Sequence, residues 1–347
     1  AEQRAQRCRG ATRNLEGIWD ETRRDSVQAA ILALDKPYAR HAWERAEAAL
    51  SQYAEDWASM HTEACEATTV RREQPSQVLD LRMACLQRAK VGLRSTVDVL
   101  AEADDEVVLR APMVTAGLPS LSRCADIEAL TAHVGPPIPR EAADVEEAQR
   151  HLADAGALYS AGRYDPALEA LATANVIVER LQYGPVKVEI LHLEGLVLDA
   201  LGRYEESQAA QLASMRHAAG LHMVDEMGRA SQQLMFLVGY EGGDWGLGQA
   251  YRTITEATTH DSPEAEADWR NGLAGVLIRH GRYDEAEQEA RAAVELARGA
   301  ADGNNPLLVA NARNTLGVSL YIQGNFAEAE PEYRAALTAR EAEFGSD

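Results

Sequence analysis

The chain has 347 residues, of which 46% are hydrophobic and 5% aromatic, and its formal net charge is −21. The length allows more than one domain with its own core. Nucleic acid and anionic membranes are disfavoured as partners by the negative charge, and no apolar run reaches the roughly 18 residues of a membrane-spanning helix.

Residues 1–134 are predicted to form an irregular helical domain. Apolar residues recur there at three- and four-residue steps, the period of a helix with one buried face. Ser76 follows Pro75 and is predicted to cap the third helix. The Pro-rich segment 135–140 is predicted to be a linker. The predicted helices span residues 11–34, 38–70, 76–102, 104–115 and 125–133.

All four cysteines of the chain, Cys8, Cys65, Cys85 and Cys124, lie in this domain. Cys65 and Cys85 flank the turn at 71–75 at equal distances, so in an antiparallel hairpin they stand within bridging reach. Two alternatives follow: Cys65–Cys85 and Cys8–Cys124 disulfides if the domain lies outside the cytoplasm, or four buried free thiols in a cytosolic domain. Zinc is disfavoured because the cysteines are widely spaced and no Cys-x-x-Cys occurs.

A glycine-led motif recurs from residue 141 onward. It reads Gly-Arg-Tyr at Gly162, Gly202 and Gly281, Gly-Asn-Phe at Gly324, and Gly-Asp-Trp at Gly243. A period of about 40 residues is typical of a helical repeat array. The sequence therefore predicts an all-α protein, in which residues 141–347 form a right-handed solenoid of about five helical hairpins.

The last copy of the motif resembles a tetratricopeptide repeat of the kinesin-light-chain style. Gly317, Ala329, Tyr333 and Ala336 occupy the small, Ala, aromatic and Ala positions of that repeat. In the copy around Gly243 the small position is held by Phe236, so its helix pair is predicted to be splayed or irregular. The resemblance also leads us to expect further repeats after Asp347.

In such arrays the first helix of each pair lines a concave groove. Asn271 and Asn314 occupy the same repeat position, where an amide can clamp the backbone of an extended peptide, although they could equally be ordinary polar surface residues. The strongly acidic repeat half would attract a basic peptide. The groove residues that the resemblance implies are Tyr159, Glu189, His192, Asp199, Asp268, Asn271, Asn311, Asn314 and Tyr321.

Five ordered motifs in the N-terminal half carry a broader resemblance. They begin at Cys8-Arg9-Gly10-Ala11, Gly17-Ile18-Trp19-Asp20, His61-Thr62-Glu63-Ala64, Leu79-Asp80-Leu81-Arg82 and Leu118-Pro119-Ser120-Leu121. This order is similar to the C-terminal region of myxobacterial-type bacterial serine/threonine kinases that carry tetratricopeptide repeats. The resemblance implies a kinase domain and often a membrane helix upstream, an extracytoplasmic location for this segment, and therefore the disulfide alternative for the cysteines.

The chain itself carries no kinase motif: it lacks the glycine-rich loop, the His-Arg-Asp loop and Asp-Phe-Gly. No catalytic residue, metal site or cofactor is predicted. The favoured function is a non-catalytic sensor or scaffold region of a receptor-type kinase that binds a protein or peptide. The alternatives are a free-standing cytoplasmic adaptor and a self-association module.

Overall fold

The computed structural model describes residues 6, 8–132, 135–259, 262–300 and 305–344, and all regular secondary structure in these residues is helical. The predicted all-α class is therefore confirmed. The chain divides into two compact units with a boundary between Val186 and Lys187, and each unit is described by itself.

The described residues of the first unit begin with two 3-10 turns and six helices. The second and third of these agree with the predicted limits to within one residue. The helices are α1 (Glu21–Leu32), α2 (Ala39–Thr69), α3 (Ser76–Ala101), α4 (Asp105–Leu109), α5 (Ala111–Ala116) and α6 (Ile127–Ala132), with 3-10 turns at Ala11–Leu15 and Leu121–Cys124.

Two predictions for these helices are wrong. A single helix over 11–34 does not form, because Gly17 adopts a φ of 72° and Asp20 then caps α1 by accepting a hydrogen bond from the Arg23 amide. Such a left-handed residue ends a helical run. Ser76 is not a cap: it is the first residue of α3, and the N-cap position belongs to Pro75, without a side-chain hydrogen bond.

The cysteines form two disulfides, but not the predicted ones. Cys8 is bonded to Cys65 and Cys85 to Cys124, each with a Cα–Cα distance of 5.5 Å. Equal distance from the 71–75 turn sets how far along the hairpin a residue stands, but not the side of the helix from which its side chain leaves. Cys65 faces the N-terminal segment, whereas Cys85 faces the 3-10 turn that ends at Cys124.

The first repeat-type helix pair belongs to this unit. Its helices are α7 (Ala142–Ser160) and α8 (Tyr164–Val178), and α7 packs against α3. The Ser95 hydroxyl donates to Asp154 at 2.6 Å across this contact. The domain limits 1–134, 135–140 and 141–347 stay a prediction; the structure adds a direct contact between α7 of this pair and α3.

Four more helix pairs follow among the described residues, and from Lys187 onward they form the second unit. In each, a first helix is joined by a short turn to a second helix that packs beside it. The pairs are α9 (Pro185–Ala200) with α10 (Tyr204–Gly220), α11 (Val224–Phe236) with α12 (Trp245–Thr258), α13 (Pro263–Arg279) with α14 (Tyr283–Gly299), and α15 (Pro306–Ile322) with α16 (Phe326–Phe344).

The recurring glycine is the residue that makes each turn. Gly162, Gly202, Gly243, Gly281 and Gly324 all have φ between 67° and 83°. The amide after the glycine bonds back to a carbonyl of the preceding helix, as in Arg203 to Leu198 at 2.9 Å. This pattern caps the first helix and reverses the chain.

The pair around Gly243 is irregular, as predicted. After Phe236, α11 continues as a π-helical turn, Leu237–Glu241. Phe236 stacks on Tyr240 at 4.9 Å between ring centroids, while Gly239 lies against Gly248 of α12. A β-carbon on Gly248 would stand 3.1 Å from the Gly239 Cα. The π turn thus places Gly239, and not the bulky Phe236, at the point where α11 and α12 approach closely.

Candidate functional site

The first helices of successive pairs in the second unit lie beside one another. α13 contacts α11 on one side and α15 on the other. We call the surface formed by residues 187–200 of α9 together with α11, α13 and α15 the first-helix row. It contains every predicted groove residue except Tyr159, which belongs to the first unit, where its ring lies 5.9 Å from that of Tyr164.

Two carboxylates of the row are held by glutamines from the neighbouring helix. Gln233 donates to Asp199 at 2.8 Å, and Gln232 donates to Asp268 at 2.7 Å. Burial raises the pKa of both carboxyls, although the glutamine hydrogen bonds act in the opposite direction. The Asp268 side chain is still exposed to solvent on one side. The protein atoms packed around its other sides are what raise the pKa of its carboxyl. These contacts join α9 to α11 and α11 to α13.

The two glutamines were missed by sequence reasoning. A signal was present, because Gln233 occupies the same repeat position as His192, Asn271 and Asn314. The motif at Gly243 is degenerate, so the sequence alone did not show which residues of this pair's first helix occupy the groove positions.

His192 is directed toward its own second helix. Its Nδ1 lies 2.9 Å from Gln211 Oε1, and Gln211 Nε2 donates to the His192 carbonyl at 3.0 Å. Since the amide oxygen of Gln211 can only accept, Nδ1 is the protonated ring nitrogen. Burial lowers the pKa of His192 to about 4, with a further contribution from Arg229. His192 therefore serves the contact between α9 and α10.

Asn271 offers an unused acceptor. Its Oδ1 is buried and has no hydrogen-bond partner among the described residues. Buried acceptors without partners are rare, and a missing ligand or water is a common explanation. Gly275, one turn further along α13, leaves open space where a side chain would stand. Backbone could therefore approach this part of α13 closely.

The remaining predicted residues differ in availability. Asn314 and Glu189 are half-buried. Asn311 already accepts a hydrogen bond from Arg340 at 2.9 Å, so its acceptor is partly occupied. Tyr321 is 58% exposed and meets Phe326 edge-on, with ring centroids 5.3 Å apart. An acceptor without a partner among the described residues is therefore found on α13, at Asn271, and Asn314 of the adjoining α15 is half-buried.

The chemistry offered by the row is hydrogen bonding. Amides, carboxyls of raised pKa and an orphan acceptor suit the alternating donors and acceptors of a peptide backbone. Within the described ranges, no three His, Cys, Asp or Glu side chains are grouped as metal ligands. No helix in that part of the chain is both long and apolar enough to cross a membrane.

Comparison with known proteins identifies the repeats. Residues 265–346 match the family described as tetratricopeptide repeat. The fold is similar to the crystal structure of BtubC (BKLC) from P. vanneervenii, with 15% sequence identity and a TM-score of 0.50, over 70% of this chain and 92% of that one. No protein in the comparison with curated sequences matches the chain.

These findings confirm a helical-repeat solenoid with tetratricopeptide-type repeats in residues 265–346. Proteins of this architecture use extended surfaces to bind other proteins or peptides, and the repeats are generally non-catalytic. The repeats of residues 265–346 thus belong to a class of scaffold for protein interactions.

Proposed function

We propose that the first-helix row binds an extended peptide segment, with Asn271 and Asn314 holding its backbone. The observation that carries this proposal is the buried Asn271 Oδ1, which has no hydrogen-bond partner among the described residues, one helical turn before Gly275, where a β-carbon would meet no atom within 4 Å. Rotation of the half-buried Asn271 side chain would bring its Oδ1 to the surface, where a backbone amide of the ligand would donate to it. At the same repeat position one pair further on, Asn314 would repeat the contact.

The charge of the chain favours a basic ligand. Most of the net charge of −21 comes from residues 131–347, since residues 1–130 are nearly balanced. A field of this sign increases the association rate of cationic peptides, and its effect declines as salt is added. A ligand rich in Lys and Arg would therefore bind with strong salt dependence.

Selection from a displayed library of extended peptides, followed by titration of a selected peptide, tests the proposal. We expect the double substitution Asn271→Ala and Asn314→Ala to weaken binding by about tenfold or more, since two hydrogen bonds to the ligand are lost. Gln288→Ala, an exposed amide on the second helix α14, is the matched control and should bind as the wild type does. Equal affinities for the wild type and the double variant would refute the role of the row.

We further propose that this region is the sensory or scaffolding part of a bacterial serine/threonine kinase and lies outside the cytoplasm. The five N-terminal motifs support the parentage. The two disulfides support the location, because such bonds persist in oxidising compartments. A kinase domain and a hydrophobic helix encoded upstream of Ala1 would agree with the proposal. A start codon there would instead indicate a free-standing cytoplasmic adaptor.

A further inference from the structure

A cavity of about 330 Å³ opens between α3 and α7, which pack against each other within the first unit. Its volume lies at the lower end of the range of small-molecule sites, about 300–1,000 Å³. We call it the α3–α7 cavity. Its walls come from both helices and from the segment before α1, and they include Ile18, Lys90, Val91, Arg94, Glu146 and Arg150.

Three of the lining side chains are cations. Lys90 and Arg94 are four residues apart on α3 and therefore share a helix face, and Arg150 lines the cavity from α7. Glu146, one turn before Arg150, is the single carboxylate of the lining. Three cations against one carboxylate leave the cavity with an excess of two positive charges.

These cations have no counter-ion within the part of the chain that the structure describes. Neither an ion pair nor a hydrogen bond joins Lys90, Arg94 or Arg150 to another described residue. Arg82, two turns earlier in α3, shows the contrast: it donates to Glu63 at 2.5 Å and to Gln74 at 3.2 Å. The cavity therefore holds positive charge that this part of the protein does not neutralise.

The charge of Lys90 is unfavourable where it stands. The side chain is half-buried, and its ammonium lies over the ring of Trp57, 5.9 Å from the centroid. Burial lowers the pKa of Lys90 and Arg94 lowers it further, whereas Glu146 acts in the opposite direction. Folding thus gathers like charges at a partly desolvated position, and a bound anion would relieve this cost.

The lining indicates the chemistry of such an anion. Guanidinium groups bind phosphates and carboxylates through paired hydrogen bonds. An excess of two positive charges is balanced by two negative ones. Ile18 is 2% exposed and Val91 is half-buried, and both line the cavity beside the cations. A small organic dianion with an apolar part matches the charge and the wall together.

We propose that the α3–α7 cavity binds a small organic dianion, either a phosphate monoester or a dicarboxylate, through Lys90, Arg94 and Arg150. The cavity, its unpaired cations and its apolar wall support this inference. It does not rest on peptide binding by the first-helix row, because the cavity lies in the first unit and the row in the second. Since the cationic contacts come from both α3 and α7, the ligand would also hold these two helices together.

Calorimetric titration of the whole chain with four benzene derivatives tests the proposal. Phenyl phosphate and phthalate are dianions, benzoate is a monoanion, and benzamide is uncharged. We expect one dianion to bind per chain, benzoate to bind at least about tenfold more weakly, and benzamide not to bind. The tighter of the two dianions identifies the anionic group that the cavity prefers. The proposal is overturned if neither dianion binds up to about 10 mM, or if benzamide binds as tightly as they do.

Substitution of the arginines locates the site. Arg94→Gln and Arg150→Gln should each weaken binding of the preferred dianion by about tenfold, because each removes a charge-assisted contact. Both side chains are exposed, so the core is left intact. Arg88→Gln is the matched control, since Arg88 is exposed on α3 but does not line the cavity, and it should bind as the wild type does.

Wild-type affinity in the double variant Arg94→Gln and Arg150→Gln would show that the dianion binds elsewhere and would refute the site. The double variant Asn271→Ala and Asn314→Ala should bind the dianion unchanged. Loss of peptide binding in that variant is therefore distinguishable from loss of dianion binding in the arginine variants.

Discussion

At the scale of single residues, left-handed backbone explains the most regular feature of the chain. Gly281 has a φ of 72°, and a β-carbon there would meet no atom within 4 Å. Conformation, and not space, is therefore what selects glycine. The turn between α10 and α11 uses His222 for the same purpose, with a φ of 58°. A turn of this kind without glycine could not be recognised from the sequence.

Gly281→Ala isolates this conformational effect. We expect it to lower the free energy of unfolding by about 1 kcal/mol, because alanine is strained in the left-handed region. Gly275→Ala in the preceding helix is the control: it also has open space, but its backbone is helical, so alanine should raise stability by about 0.5–1 kcal/mol. Urea unfolding measures both. Equal effects of the same sign would contradict the assignment of the turn.

His192 makes stability depend on pH in a defined direction. Its pKa is about 4 in the folded protein, against an ordinary value of 6.5, so between these values the unfolded chain binds the proton and the folded chain does not. The stabilisation is complete above pH 6.5 and is lost as the pH falls toward 4. At about 1.4 kcal/mol per pKa unit, the loss is on the order of 3 kcal/mol.

The variant His192→Gln should be less stable than wild type at pH 7.5 by about 1 kcal/mol, the value of one hydrogen bond, but its stability should fall less toward pH 4. The raised pKa values of Asp199 and Asp268 change stability with pH in the opposite direction. Both carboxyls are present in the wild type and in the variant, so the difference between the two pH profiles reports on His192. Unfolding curves from pH 4 to 8 measure the effect, with exposed His217→Gln as the control for the substitution. Parallel pH profiles for wild type and His192→Gln would exclude His192 as the cause.

At the scale of elements, local sequence signals could predict where a helix begins and ends, but not which of its sides faces a neighbouring helix. The ends of α2 and α3 follow from Pro37, Pro75 and the apolar period, and the observed helices agree with them. Which residues meet across two helices depends on tertiary packing. For this reason the cysteine pairing was wrong, and the turn of His192 toward Gln211 was not foreseen. The repeat positions placed Asp199 and Asp268 among the groove residues, which stays a prediction, and the degenerate motif around Gly243 hid Gln233.

The π turn allows a prediction about this packing. Gly248→Ala should lower stability by about 1–3 kcal/mol, because its β-carbon would press on the Gly239 backbone at 3.1 Å, and backbone cannot move aside easily. Gly246→Ala in the same helix is the control. Its β-carbon would meet only Asp244 Oδ1, at 3.6 Å, an ordinary contact. Thermal unfolding of the two variants gives the comparison, and a tolerated alanine at Gly248 would show that the two helices are not in close contact there.

At the scale of the whole molecule, the two units are stabilised by different means. The first has an irregular core around Trp57 and Leu50 and holds all four cysteines in disulfides. In the second, small residues such as Ala274, Ala290 and Ala293 let helices approach closely. Reduction should therefore affect one unit selectively.

The two bridges close loops with sequence separations of 57 and 39 residues. In the chain-entropy account each stabilises the folded state by about 4 kcal/mol. We expect reduction to accelerate hydrogen exchange in α2 and α3 by several orders of magnitude, while amides of α13–α15, in a unit without cysteine, keep their protection. The double variant Cys85→Ser and Cys124→Ser should reproduce part of this effect without a reductant, and a peptide map of the unreduced protein should recover Cys8 joined to Cys65. Equal acceleration of hydrogen exchange in both units would contradict a selective effect of the bridges on the first unit. A peptide map that recovers Cys65 joined to Cys85 would instead support the pairing predicted from the sequence.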